Sequence, residues 1–160
     1  MLFRSGRVLN LTPRLAKAGL HLQVHFASEL VHTVGRELPK SAVPVVIDHM
    51  GRVVAKDGLE QQPFKVLLEA MKNERMWVKI TGAERVSSMG PPFTDSVPFA
   101  QKLVEAAPDR ILWGTDWPHP NVKWMPNDGD LVDLFPLMVP DAALQKKILV
   151  DNPDRLYFRS

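Results

Sequence analysis

Asp116 stands where an acid could do chemistry. It follows residues 111–115, whose types indicate a buried strand, and two closely spaced prolines then forbid further regular structure. Alternation along a strand would place Gly114 on the same face as Asp116, leaving an open space beside the carboxylate that a substrate could fill. Trp113 would point to the other face and pack against a covering helix. The structural alternative is that Asp116 only accepts hydrogen bonds from the following turn, and the local pattern leaves both interpretations open.

Four more side chains suited to binding or proton transfer follow strand-like segments: His25, His49, Arg52 and Arg85. In α/β folds the carboxyl ends of parallel strands meet at one edge, and ligands bind there. We therefore expect these four side chains to converge with Asp116. His49 has a structural alternative as a hydrogen-bonded buried histidine. Arg85 could instead form an ordinary surface pair with Glu84 or with a loop carbonyl, and Arg52 could be an ordinary turn residue.

The elements that must position these residues alternate between strand and helix. Strands are predicted at residues 20–26, 43–48 and 76–81 and from residue 111 onward. Helices are predicted at residues 11–18, 28–38, 63–72, 95–106, 131–138 and 141–150, with a long loop at 82–94 and a tail at 151–160. Ser28 and either Asp95 or Ser96 are candidate helix caps. Apolar strands alternating with helices favour an α/β fold with a parallel sheet.

Size and composition narrow the class of protein. The 160 residues suffice for one domain, and a net charge of +2 implies no strong attraction to nucleic acid or membrane. Cysteine is absent, which excludes disulfides and thiolate chemistry and is compatible with the cytoplasmic location that we expect. Length favours a doubly wound sheet over a (β/α)8 barrel, which typically takes about 250 residues.

Three motifs in order carry a resemblance to a known family. They are Val-Ile-Asp-His-Met-Gly-Arg at 46–52, Trp-Val-Lys-Ile-Thr-Gly at 77–82 with Glu-Arg at 84–85, and Trp-Gly-Thr-Asp-Trp-Pro-His-Pro-Asn at 113–121. Together they resemble the amidohydrolase superfamily, and most of all its lactonase branch, typified by 2-pyrone-4,6-dicarboxylate lactonase. The likeness runs from about Gly19 to Tyr157.

The resemblance implies an unusual domain. The family fold is a TIM (β/α)8 barrel, and this chain resembles its C-terminal half, strands five to eight, with Asp116 ending the eighth. The His-x-His pair of the family's first strand has no counterpart. We therefore expect residues 1–160 to form a single partial barrel domain without its N-terminal half, in which inward-facing Val45, Ile47 and Leu112 would meet solvent.

The resemblance also implies roles for the site residues. Asp116 matches the general base that takes a proton from water, and His49 matches a histidine that hydrogen-bonds the substrate carbonyl. Arg85 and Arg52 match cations that bind substrate carboxylates. His25 stands where the pyrone lactonase has a tyrosine, so the identity of the substrate is open.

A sixth candidate, His119, lies between two prolines and either lines the substrate pocket or faces water. The lactonase branch works without metal, so we predict no metal and no other cofactor, and a small anionic organic substrate. One alternative is a metal-dependent amidohydrolase or decarboxylase, for which His49 and Asp116 would supply two ligands but not a closed site. The other is a catalytically incomplete half barrel that acts only when paired with itself or with another protein.

Overall fold

The sheet has four short parallel strands. In a computed structural model that describes residues 5–158, they cover Leu22–Val24 (β1), Val45–Ile47 (β2), Met76–Lys79 (β3) and Ile111–Leu112 (β4). They pair in the order β1-β2-β3-β4, and each neighbour is parallel. A doubly wound sheet reverses its strand order, and this sheet does not. The predicted parallel α/β class is confirmed, whereas the doubly wound arrangement favoured by length is wrong.

Helices connect the strands. Within residues 5–158 the α-helices are Ser5–Leu9 (α1), Thr12–Lys17 (α2), Val31–Glu37 (α3), Gln62–Ala70 (α4), Ala83–Val86 (α5), Val97–Ala106 (α6), Asp128–Met138 (α7), Ala142–Lys146 (α8) and Asn152–Tyr157 (α9). A π-helical turn, Lys147–Asp151, joins α8 to α9. None of these helices is long and apolar enough to cross a bilayer.

The helix starts are set locally. The side chain of Asn127 accepts a hydrogen bond from the Gly129 amide and opens α7, and Asp141 opens α8 in the same way. The predicted caps of α6 are wrong, because Ser96 instead donates to the Phe93 carbonyl and Asp95 accepts from the Ser88 amide. Ser28 also forms no side-chain cap; it begins the 3-10 turn Ser28–Leu30 that leads into α3.

The main core lies between the sheet and the helices. Val45, Ile47 and Ile111 point into it and are at most 1% exposed, among apolar side chains of α4 and α6 such as Phe64 and Leu103. The prediction that Val45 and Ile47 face a barrel interior is therefore wrong. Strand alternation assigns two faces but not which is inner, and the strand register here sends the odd-numbered residues of β2 toward the helices.

The opposite face of the sheet carries a smaller apolar cluster. Val46, Trp77 and Leu112 form it together with Leu156 of α9, and all four are at most 5% exposed. Leu112 thus faces the predicted side of the sheet but is not exposed to solvent. Most of the predicted tail at 151–160 is helix α9, whose Asn152 side chain donates to the carbonyls of Pro108 and Ile111 and holds α9 against the start of β4. Residues 159 and 160 lie outside the described residues.

Candidate active site

The site is built on strand-end turns with unusual backbone conformations. Asp116, His49, Arg52 and His119, four of the six predicted site residues, have φ between +52° and +68°. Side chains other than glycine rarely adopt this left-handed region, and such strain concentrates at functional sites. Because β4 ends at Leu112, its alternation does not reach Asp116 and the turn itself aims the carboxylate.

Two predicted features of the residues before Asp116 have different outcomes. A side chain added at Gly114 would meet no atom within 4 Å, so there is space at Gly114, whereas its place beside the Asp116 carboxylate stays a prediction. The predicted packing of Trp113 against a helix is confirmed. Trp113 packs on the ring of Phe135 in α7, with ring centroids 4.8 Å apart. The strand end thus anchors one side of the turn in the core and leaves the other side open.

His49 lies directly against Asp116. Its Nε2 is 3.6 Å from the carboxylate Oδ1 of Asp116, and its Nδ1 is 2.8 Å from the hydroxyl of Thr81. Burial lowers the pKa of His49 to about 4, although the carboxylates of Asp116 and Asp48 act in the opposite direction. The imidazole is therefore neutral at pH 7, and when the Thr81 hydroxyl donates to Nδ1, the Nε2 carries the proton.

Arg85 donates two hydrogen bonds to the other carboxylate oxygen of Asp116. Its Nε and Nη2 lie 3.1 and 2.8 Å from Oδ2 of Asp116, and Nη2 also donates to the carbonyl of Pro120. Its Nε is 3.3 Å from Glu84, and the Arg85 and Glu84 side chains are only 7% and 0% exposed. The structural alternative is therefore correct about the contacts with Glu84 and a loop carbonyl, but wrong in placing them at the surface.

His25 and Arg52 extend the site on two sides. The ring of His25 meets that of His49 edge-on, with centroids 5.0 Å apart, and His25 is exposed. Arg52 shares a cavity of about 440 Å³ with Arg85. Within residues 5–158 its guanidinium makes no hydrogen bond or ion pair, so it is free to bind an anion.

His119 is buried behind Asp116. It is 4% exposed, and its Nε2 lies 3.2 Å from Oδ1 of Asp128. The alternative in which His119 faces water is wrong, because the turn between the two prolines folds the imidazole inward. Its Nδ1 has no hydrogen-bond partner in the described residues.

The sequence did not predict a polar cluster of Asp48, Lys79 and Gln23, which lies next to His49. Asp48 forms an ion pair with Lys79 at 3.1 Å and accepts a hydrogen bond from the amide of Gln23. The sequence offered no partner for Lys79. The strand register was the missing signal, because it places Gln23 opposite Val46 and sets these strands side by side. Thr81 was also missed as the partner of His49.

The residues present do not fit a divalent ion as they stand. Two groups bring three potential ligand atoms within 4.8 Å of one another: His25, Asp48 and His49, and Glu84, Asp116 and His119. Each group contains a carboxylate already paired with a cation, Lys79 in the first and Arg85 in the second. A metal would have to displace that cation.

Comparison with protein families and curated proteins gives consistent matches. The model of the amidohydrolase family matches residues 4–159. A 4-sulfomuconolactone hydrolase of Hydrogenophaga intermedia is 47% identical over 139 residues, which are 85% of this chain and 46% of the relative. A 2-pyrone-4,6-dicarboxylate hydrolase of Comamonas testosteroni is 41% identical over 161 residues, 94% of this chain and 53% of the relative. The chain thus spans about half the length of these relatives.

Solved structures share the fold. A crystal structure from Agrobacterium tumefaciens superposes with a TM-score of 0.79 at 28% sequence identity, covering 91% of this chain and 53% of that one. The four-stranded sheet therefore matches about half of a larger chain.

Proposed function

Because this chain belongs to the amidohydrolase family, we propose that it hydrolyses a small carboxylated lactone without a metal, with Asp116 as general base. The observation that carries the proposal is the contact set of Asp116, whose Oδ1 faces a neutral imidazole and whose Oδ2 is held by a guanidinium. Two relatives are named as hydrolases of a sulfonated lactone and of a pyrone dicarboxylate, and both names support an anionic lactone as substrate.

The proposed reaction uses the residues as they lie. Asp116 takes a proton from water, and the resulting hydroxide adds to the lactone carbonyl. His49 donates its Nε2 proton in a hydrogen bond to the carbonyl oxygen as negative charge develops, a role that suits a neutral imidazole. The ring carbon–oxygen bond then breaks, and Asp116 returns its proton to the leaving oxygen.

Substrate binding rests on the two arginines. Arg52 has its donors free, whereas Arg85 uses Nε and Nη2 on Asp116. A substrate carboxylate that bound Arg85 through this same edge would release Asp116 from its guanidinium partner. We expect both histidines to influence substrate binding. His25 would do so from the exposed edge of the site, and His119 from its buried position behind the Asp116 carboxylate.

The chain's extent bears on how it acts. We propose that β1 to β4 are strands five to eight of a barrel, because they follow chain order and the chain spans about half of its relatives. A half barrel leaves β1 and β4 as open edges. A second candidate function is therefore an incomplete half barrel that acts only when paired with a second copy or with a complementary half. The expected cytoplasmic location stays a prediction.

The test is a lactonase assay on the purified chain with 2-pyrone-4,6-dicarboxylate and 4-sulfomuconolactone, followed by ultraviolet absorbance. We expect Asp116→Asn to lower kcat by about 100-fold or more, as loss of a general base does. Arg85→Met should chiefly raise KM. Asp130→Asn, which removes an exposed carboxylate elsewhere, should leave both constants unchanged.

Several outcomes would contradict parts of the proposal. An unchanged kcat in Asp116→Asn would end the assignment of the base. Stoichiometric zinc or manganese after purification without chelator would favour the metal-dependent alternative. Activity that elutes only with a dimer in size-exclusion chromatography would support the paired half barrel, and activity in the monomer would exclude it.

A further inference from the structure

Glu84 is a buried acid that the proposed reaction does not use. Its side chain is completely buried, and its Oε1 lies 3.3 Å from Nε of Arg85. Burial raises the pKa of Glu84, against the opposing effects of its own backbone amide and Arg85. Arg85 also holds Asp116, so one guanidinium serves two carboxylates, and burial favours a Glu84 that keeps its proton.

His119 offers a matching acceptor. Its Nδ1 is buried without a partner, while its Nε2 faces the carboxylate of Asp128 at 3.2 Å. When Nε2–H donates to Asp128, Nδ1 is left as an acceptor. One ring nitrogen of His119, one oxygen of Glu84 and one oxygen of Asp116 lie within 4.8 Å of one another, a separation that one bridging water can span.

Asp128 connects this group to solvent. Its side chain is 46% exposed, whereas that of His119 is 3% exposed. The charged groups that face Glu84 are Arg85, Asp116 and His119, and those that face His119 are Asp128, Glu84 and Asp116. Asp116, Glu84 and His119 thus lie within one bridging water of one another, and His119 contacts Asp128 at the surface.

We propose that Glu84 and His119 form a proton relay from Asp116 to the surface at Asp128, an inference that rests on the proposed lactone hydrolysis. Opening a lactone consumes one water, breaks the ring carbon–oxygen bond and produces a carboxylic acid. Asp116 returns the first water proton to the ring oxygen. The second proton, on the new acid, passes to Asp116, through Glu84 and His119 to Asp128, and then to water.

The first measurement does not depend on turnover. Carbon-13 NMR of glutamate carboxyls across pH should show Glu84 titrating above the exposed glutamates. His119→Asn should move the Glu84 midpoint upward, because His119 is one of the groups that lower the pKa of Glu84. Asp130→Asn is the matched control, since Asp130 is exposed on the same helix as Asp128, and it should leave the midpoint unchanged.

The second measurement is kinetic. Glu84→Gln, which keeps the side-chain shape, and Asp128→Asn, which touches a half-exposed group, should each lower kcat about 10-fold with KM unchanged and alter the pH dependence of kcat. A rise in KM with kcat unchanged would assign Glu84 to holding Arg85 and overturn the relay.

The two measurements separate the relay from the proposed function. A Glu84 carboxyl that titrates with the exposed glutamates, or that ignores His119→Asn, would overturn the relay whatever the activity. If His119→Asn shifts the Glu84 midpoint in a chain that has no lactonase activity, the Glu84–His119 contact of the relay is supported. The proposed lactone hydrolysis is then contradicted.

Discussion

At the scale of single residues, the protonation of His49 links the site to stability. Its pKa is lowered by burial to about 4, from an ordinary value near 6.5. As pH falls through 6.5, His49 binds a proton in the unfolded chain, whereas in the folded chain it does so only near pH 4. Acidification in this range therefore stabilises the unfolded state. We expect the free energy of unfolding, measured with urea, to fall by about 2 kcal/mol from this residue between pH 7 and pH 5.

A pair of variants isolates this effect. His49→Asn should lose less stability than the wild type on going from pH 7 to pH 5, whereas His32→Asn, at an exposed histidine, should behave like the wild type. Glu84, whose pKa burial raises, acts in the opposite sense on acidification, but it does so equally in all three proteins. An identical pH dependence in His49→Asn would show that His49 is protonated normally in the folded chain.

The sequence was sufficient to predict the contacts of some of these residues, but not of others. Asp116 and His49 could be paired in advance because both follow strands whose carboxyl ends meet at one edge. The contact of Arg85 with Asp116 could not, because it depends on where α5, a helix within the predicted loop 82–94, places the guanidinium. The burial of Glu84 on α5 and of His119 in the turn after β4 could not be predicted either, because nothing in their local sequence distinguishes them from surface residues.

At the scale of elements, the turn after β3 fixes the imidazole of His49. Gly82 has a φ of +67°, and a Cβ there would lie 2.6 Å from His49 Nδ1 and 2.8 Å from its Cβ. Gly19, which follows α2 with its amide bonded to the Ala16 carbonyl, has a similar φ of +65° and nothing within 4 Å. We expect Gly19→Ala to cost about 1 kcal/mol from backbone strain alone. Gly82→Ala should cost about 3 kcal/mol, because the collision with His49 adds an overpacking cost.

Urea unfolding of both variants measures this difference, and histidine ring NMR reports the contact itself. The His49 signals should shift in Gly82→Ala and stay in place in Gly19→Ala, since only the former crowds the ring away from Thr81. Equal costs and unchanged signals in the two variants would mean that Gly82 serves only the turn.

The order of elements was predictable, but their lengths were not. Alternating apolar strands and helices gave the parallel sheet, while the predicted six- or seven-residue strands shrank to two to four residues. The polar residues that follow the strands, such as Asp48 and Thr81, lie outside the paired strands and contribute to the site. Local strand propensity does not predict these early strand ends. Helix α9 was missed because a single turn held by Asn152 has too little periodicity to detect.

At the scale of the whole molecule, the face of the sheet opposite the main core combines two environments. Toward the strand ends it carries the polar contacts of Asp48 with Lys79 and Gln23. Toward the strand starts it carries the apolar cluster that α9 covers. The apolar residues of this face are therefore buried at one end, while the candidate site lies at the other.

The cover that α9 provides can be tested at one side chain. Leu156 is 4% exposed against Val46, Trp77 and Leu112, whereas Leu149 on the preceding turn is 45% exposed. Leu156→Ala should cost about 3 kcal/mol in urea unfolding, since it leaves a cavity over the sheet, and Leu149→Ala should cost less than about 1 kcal/mol. Leu156→Ala should also elute earlier in size-exclusion chromatography, because the uncovered apolar patch favours association. Equal stability losses and equal elution would show that α9 does not cover this face of the sheet in solution.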